Sequence, residues 1–171
     1  NSVNTLLVAQ GILFALAILP IWLFVKERLG KIPAYCFVLA YATFWGTLNA
    51  VAFDFHEIAF AVPLIAFMIY FIDQERWRNY FIAMTFLLLV KEDMSVLVAF
   101  FGLYLFTQKE FRKGAITLTA GVTWFFLATK LFIPFFAGAS GAYAYWTYTQ
   151  LGPDPISSVL AILKNPMLLY T

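Results

Sequence analysis

Two long runs of the chain, residues 1–25 and 32–53, contain no charged side chain. A helix needs about 20 consecutive apolar residues to cross the hydrocarbon core of a bilayer, so each run is long enough to do so. The chain as a whole is 63% hydrophobic, whereas soluble domains have roughly 45–50% apolar residues. The sequence therefore predicts an all-α integral membrane protein, built as a polytopic bundle of transmembrane helices.

Several classes of protein and site are disfavoured by the same sequence. The first run lacks a basic leader and a small-residue cleavage site, so it is interpreted as a span and not as a signal peptide. The net charge is only +2 and the basic residues are scattered in small groups, which disfavours a nucleic-acid partner. Cys36 is the only cysteine and His56 the only histidine, so neither a disulfide nor a two-histidine zinc site can be built. No internal repeat is evident.

The triplet Lys91-Glu92-Asp93 interrupts an apolar stretch whose flanks, residues 79–90 and 94–108, carry no charge. Each charged group costs about 3 kcal/mol at the bilayer centre, so the three would cost about 9 kcal/mol if unpaired. Such groups must pair, reach water or perform a function. One interpretation is a structural lysine–carboxylate cluster at a hairpin tip, and the other is a functional polar site.

The distribution of basic residues predicts that residues 79–108 form a hairpin of two short helices with the triplet at its tip. Only this arrangement puts three basic loops on one side of the membrane, as the positive-inside rule favours. A single continuous helix would also point consecutive charges about 100° apart, away from any common cavity. The three loops hold eight of the eleven basic residues, namely Lys26, Arg28, Lys31, Arg76, Arg78, Lys109, Arg112 and Lys113.

The same topology places the segment Asp54-Phe55-His56-Glu57 on the outer side, with the triplet. The sequence thus predicts one outward-facing cavity, whose substrate-binding residues are Asp54, His56, Glu57, Lys91, Glu92 and Asp93. Carboxylate oxygens suit Mg²⁺ or Mn²⁺, so Asp54, Glu57, Glu92 and Asp93 are candidate ligands of a divalent cation. The alternative for the first segment is a polar helix end, where carboxylates favour the next helix N-terminus.

Composition changes after residue 136. We expect residues 1–136 to form the transmembrane core and residues 137–171 to form an outer loop that leads to a further span. Within that loop, Val159 to Lys164 is predicted to be a short interfacial helix, because Pro155 and Pro166 bracket it and it cannot cross a bilayer. The chain begins with Asn1, so we interpret it as a segment of a longer protein.

The chain resembles a family of predicted multi-pass membrane proteins of bacteria and archaea, known only as a domain of unknown function. The matching features are Asp54-Phe-His-Glu57 with Pro63, Lys91-Glu92-Asp93, the basic loop at Gly114, and Tyr148…Leu151-Gly152 before Asn165-Pro166. That family in turn resembles the type C glycosyltransferases, which take sugars from polyprenyl-phosphate donors on the outer membrane face. The resemblance implies a type C-like fold in a prokaryotic cytoplasmic membrane, and a lipid-linked sugar donor as partner.

The resemblance also implies roles for residues. The catalytic base of the superfamily is usually an acidic residue in the first outer loop, which would precede Asn1. A later acidic pair often helps to bind metal or donor phosphate, and Asp54 with Glu57, or Glu92 with Asp93, could fill that role. The leading expectation is therefore a membrane glycosyltransferase. The alternatives are a transporter or proton-coupled carrier with a charged intramembrane relay, and a structural membrane subunit.

Overall fold

A computed structural model describes residues 3–137 together with Ala161, Ile162, Lys164 and Asn165, and every regular element in this part of the chain is helical. The elements of residues 3–125 form one compact unit, and residues from Phe126 onward belong to a second. The α-helices are α1 (Val3–Leu16), α2 (Ile18–Leu29), α3 (Lys31–Thr43), α4 (Trp45–Ala52), α5 (Ala61–Asp73), α6 (Trp77–Val90), α7 (Met94–Thr107), α8 (Phe111–Leu127) and α9 (Ile133–Ala137).

Within the part of the chain that the structure describes, two helical stretches are long and apolar enough to cross a membrane. They are Thr5–Leu29, which combines α1 and α2, and Phe111–Phe136. The first is interrupted at Ala17, one turn before Pro20, because proline has no N–H to donate to the carbonyl of Leu16. Large apolar side chains are exposed all along the described helices, as expected of a surface that faces lipid.

The predicted second span, residues 32–53, is not a single straight helix. Helices α3 and α4 meet at Phe44 with a bend of 46°, and together they form a third candidate span. Phe44 has extended backbone angles, and its ring folds onto Gly46, where a Cβ atom would lie only 2.6 Å from a ring carbon. Because Gly46 has no side chain, the ring of Phe44 can pack against its backbone at the bend.

The predicted hairpin of residues 79–108 is confirmed. Helices α6 and α7 are separated by Lys91, Glu92 and Asp93, of which Lys91 has extended backbone angles and ends α6. The hairpin also supplies most of the hydrophobic core, in which Met68 of α5 packs with apolar residues of α6 and α7. The largest of these fully buried side chains are Tyr80, Leu87, Val98 and Leu105.

The three basic loops lie at one end of the first unit, which we call the basic end. Arg28 donates a hydrogen bond from Nε to Asp73 Oδ1 at 2.8 Å, which joins the first loop to the second. Lys113 Nζ lies 3.7 Å from the centroid of the Trp77 ring, which joins the third loop to the second. The predicted grouping of these loops is therefore confirmed by direct contacts.

Candidate functional site

The two polar motifs meet at the opposite end of the first unit, which we call the motif end. Lys91 Nζ lies 3.3 Å from Glu57 Oε1, although the two residues lie in different loops. Glu57 begins the 3₁₀ helix Glu57–Phe60 that leads into α5, and Lys91 follows the last residue of α6. Because α5 and α6 pack side by side as antiparallel helices, their ends at this side of the unit bring the two motifs together.

Both members of this ion pair have shifted pKa values. The pKa of Glu57 is lowered, first because its carboxylate is hydrogen-bonded to its own backbone N–H and second because it accepts from Lys91. The pKa of Lys91 is raised by its hydrogen bond to Glu57, and the nearby charge of Asp93 adds to this effect. The Lys91 and Glu57 side chains are 38% and 56% exposed, so solvent screens the pair and it adds little to stability. The pair is nonetheless fully charged at neutral pH.

A buried glutamine of α1 holds the loop that carries the first motif. Gln10 is only 2% exposed. Its Nε2 donates to the carbonyl oxygens of Ala50 at 2.7 Å and Phe53 at 3.3 Å, and its Oε1 accepts from the backbone N–H of His56 at 3.0 Å. A single side chain therefore satisfies two carbonyls near the end of α4 and one amide of the following loop. These bonds fix the path of the chain from α4 through His56.

The ring of His56 is oriented by its own loop. Its Nδ1 lies 2.7 Å from the carbonyl oxygen of Asp54, and since a carbonyl can only accept, we infer that Nδ1 carries the hydrogen. In the neutral imidazole, Nε2 then has a free lone pair and can accept a hydrogen bond from a hydroxyl group. The ring of Phe53 lies 5.6 Å away between centroids and helps to hold the imidazole in place.

A cleft of about 350 Å³ adjoins this loop. The residues around it include one acid, one histidine, two amide residues and two phenylalanines. The lining residues are Gln10, Phe14, Asn49, Ala50, Phe53, Asp54, His56, Ile58 and Ala59. Hydrogen-bonding groups beside aromatic rings suit a small ligand that has both hydroxyl groups and an apolar face.

Four of the six residues predicted to bind substrate lie in two adjoining places, and the other two, Glu92 and Asp93, follow Lys91 in the hairpin turn. Asp54 and His56 line the cleft, while Glu57 and Lys91 form the ion pair beside it. Glu92 is half-buried in the hairpin turn, where its carbonyl oxygen accepts from the backbone N–H of Ser95 at 3.2 Å. Asp93 is exposed at the N-cap position of α7.

The four acidic residues predicted to bind a cation do not form a preassembled metal site. Among the described residues, no group of three or more histidine, cysteine or acidic side chains is arranged to hold a metal ion. Mg²⁺ is often bound by one or two carboxylates together with substrate phosphates and water, so the donor set of such a site would include the substrate. The assignment of Asp54, Glu57, Glu92 and Asp93 as ligands stays a prediction.

The residue that sequence analysis missed is Gln10. The available signal was its position: it is a strongly polar side chain inside the uncharged run of residues 1–25. A polar group within an apolar span needs a partner, because no water is available there. Its partners are backbone groups, those of Ala50, Phe53 and His56. Because every residue has such groups, the sequence does not indicate which of them pair with Gln10.

The fold and the two polar motifs define an α-helical membrane protein with a candidate binding site at one end of its helices. The chain belongs to the family of predicted membrane proteins DUF2079, whose model matches residues 1–171. No curated protein and no solved structure matches it. The family is one of unknown function, so membership establishes the class of protein and not its activity.

Proposed function

We propose that this chain is the central part of a multi-pass glycosyltransferase of a prokaryotic cytoplasmic membrane. It would move a sugar from a polyprenyl-phosphate donor at the outer face, with the motif end facing outward. The observation that carries this proposal is the contact between Lys91 and Glu57, which joins the two polar motifs beside a cleft at the end opposite the basic loops. The resemblance to type C glycosyltransferases supports the same assignment.

Lys91 is the group suited to the donor phosphate. An ammonium group has three hydrogens to donate, and Glu57 takes one of them at 3.3 Å. With its side chain 38% exposed, Lys91 can direct the others to a phosphate as a compact point charge. A divalent cation held by nearby carboxylates and the phosphate itself would neutralise the remaining charge.

The cleft beside His56 is suited to the sugar. Its volume of about 350 Å³ falls within the range of roughly 300–1,000 Å³ found for small-molecule sites. His56 Nε2 can accept from a sugar hydroxyl, the Asp54 carboxylate can accept from another, and the Phe53 ring offers an apolar face. The catalytic base is expected in the part of the protein that precedes Asn1, as the resemblance implies.

The proposal is tested by sugar transfer in membrane vesicles that contain the full-length protein and a panel of polyprenyl-phosphate-linked radiolabelled sugars. Asp54→Asn, Glu57→Gln and Lys91→Met should each lower transfer at least tenfold, because each removes a charge that the donor or its cation would contact. Glu27→Gln at the basic end is the matched control and should retain transfer. Full transfer by all three site variants, with lowered thermal stability, would instead identify a structural charge cluster.

A carrier is the second candidate, and one observation favours it. The hairpins α5–α6 and α7–α8 have the same orientation, and in each the first helix ends at a glutamine that is followed by a residue with a positive φ angle. Parallel repeats of this kind occur in several carriers. A carrier must open the motif end to both sides of the membrane in turn, whereas a transferase needs one outer opening. Labelling of Asp54→Cys from the inner side during turnover would favour the carrier.

A further inference from the structure

A second and larger cavity opens at the basic end and extends along α7 toward the hairpin turn. It is a groove of about 640 Å³ between α2, α5 and α7. Its apolar walls are formed by Phe24 of α2, Ile69 of α5, and Leu97, Phe100 and Phe101 of α7. Nothing in the proposed transfer reaction uses this groove.

The groove has the length and the polarity of one leaflet of a bilayer. Along α7 its lining extends from Leu97 to Gln108, a distance of about 16 Å at 1.5 Å per residue. One leaflet of hydrocarbon is about 15 Å thick, half of a core of about 30 Å. All of the charged lining residues, Arg28, Asp73, Glu75 and Glu110, lie at the loop end. A headgroup would therefore lie at the loops and an acyl chain between the helices.

The charges at the loop end are complementary to a zwitterion. Arg28 binds Asp73 Oδ1 through Nε and one terminal nitrogen, and its other terminal nitrogen remains available as a donor. Its side chain is 61% exposed. Two residues beyond Asp73, the Glu75 carboxylate has no ion pair or hydrogen bond within the described residues, and it is exposed. A phosphate can thus bind Arg28 while a neighbouring ammonium binds Glu75.

We propose that this groove binds a phospholipid with a primary-amine headgroup, such as phosphatidylethanolamine, from the leaflet at the basic end. The acyl chain packs against the phenyl rings of α7, the phosphate accepts from Arg28, and the ammonium donates to Glu75. A quaternary ammonium cannot donate a hydrogen bond, and an anionic headgroup meets the unpaired carboxylate of Glu75. Affinity should therefore fall from phosphatidylethanolamine to phosphatidylcholine to phosphatidylglycerol.

The test uses the full-length protein in neutral detergent with these three lipids, all with identical acyl chains, and native mass spectrometry of the lipid retained. We expect preferential retention of phosphatidylethanolamine, and a loss of about tenfold in that preference for Glu75→Gln, the usual effect of losing a charged hydrogen bond. Glu27→Gln removes a carboxylate at the same end but outside the groove, and should keep the preference. Ile69→Trp, which fills the groove, should lower the retention of all three lipids.

Equal retention of the three lipids, or an unchanged preference in Glu75→Gln, would overturn the proposal. Failure to retain any of the three lipids would also overturn it. Because the readout is lipid binding at the basic end, its result is independent of sugar transfer at the motif end. A lipid-binding result therefore neither depends on the proposed enzyme nor supports it.

Discussion

Polar residues at the motif end contribute in two ways, one to folding and one to binding. Gln10 represents the first and the ion pair of Lys91 with Glu57 the second. Gln10 is buried and satisfies three backbone groups, so its loss would leave those groups without partners. Both side chains of the ion pair are exposed to solvent. When the pair is broken, water can therefore hydrate the charged group that remains. The first should therefore matter for folding and the second for binding.

Gln10→Ala is expected to lower the free energy of unfolding by about 2–4 kcal/mol, because unsatisfied buried groups cost about 1–3 kcal/mol each and neighbouring ones partly relax. The measurement is thermal unfolding of the detergent-solubilised protein. Gln108→Ala is the matched control, since that glutamine is exposed, and it should change stability by less than about 0.5 kcal/mol. Equal effects of the two substitutions would contradict the role of Gln10 in holding the loop.

Glu57→Gln is expected to lower stability by less than about 1 kcal/mol, as for other exposed ion pairs. The pKa of Glu57 is lowered from 4.5, so its contribution is present above that value and is lost as the pH falls through the folded-state pKa. The pKa of Lys91 is raised from 10.5, so its contribution is present below that value and is lost as the pH rises further. The stability difference between wild type and variant should be constant between these limits and vanish in acid, as denaturant titrations at several pH values would show.

At the level of helices, α7 and α8 pack closely because glycines face the partner backbone. A Cβ atom on Gly102 would lie 2.5 Å from the backbone nitrogen of Leu118, and one on Gly121 would lie 2.6 Å from the carbonyl oxygen of Ser95. These neighbours are backbone atoms of a helix, so they cannot rotate away as a side chain can. Close approach through small residues is the usual packing of helices in membranes.

Gly102→Ala should therefore separate α7 from α8 and destabilise the protein by about 1–3 kcal/mol, as other overpacked substitutions do. Gly11→Ala is a matched control, because its Cβ would meet only Val51 Cγ1 at 3.8 Å. That substitution should stabilise α1 by up to about 1 kcal/mol through helix propensity. The two variants are compared by thermal unfolding in detergent. If both lose stability, close packing of α7 against α8 does not explain the effect of Gly102→Ala.

The turns of the hairpins α5–α6 and α7–α8 have the same geometry. Gln74 and Gln108 cap α5 and α7, and each donates its backbone N–H to a tyrosine carbonyl, of Tyr70 at 3.0 Å and Tyr104 at 3.3 Å. The following residues, Glu75 and Lys109, both have positive φ angles, of 53° and 63°. The two tyrosines and the two glutamines are each 34 positions apart, so the shared turn geometry is accompanied by a short match in sequence.

Some of these elements are predictable from the sequence for clear physical reasons, and others are not. The hairpin of residues 79–108 was predictable because the positive-inside rule and the lengths of the apolar runs can be read from the sequence without knowing how the helices pack. The bend at Phe44 was not, because it depends on the contact of an aromatic ring with Gly46. The proximity of the two motifs followed from topology, whereas the pairing of Lys91 with Glu57 depends on the side-by-side packing of α5 and α6.

At the scale of the whole molecule, the contacts between loops show which ends of the helices lie together. Arg28 contacts Asp73 and Lys113 contacts Trp77 at the basic end, while Lys91 contacts Glu57 at the motif end. The positive-inside rule then orients the unit, because an excess of lysine and arginine marks the cytoplasmic side. The basic end should therefore face the cytoplasm and the motif end the outside.

Single cysteines test this orientation in a Cys36→Ser background, which removes the only native thiol. In intact cells, a membrane-impermeant maleimide should label Asp93→Cys, which lies in the exposed turn at the motif end. It should label Lys31→Cys and Phe111→Cys only after the membrane is permeabilised, because both residues are exposed at the basic end. Labelling of Lys31→Cys and Phe111→Cys from opposite sides would contradict the hairpin topology. Labelling of both in intact cells would preserve that topology and reverse its orientation, which would turn the motif end toward the cytoplasm and rule out a donor site on the outer face.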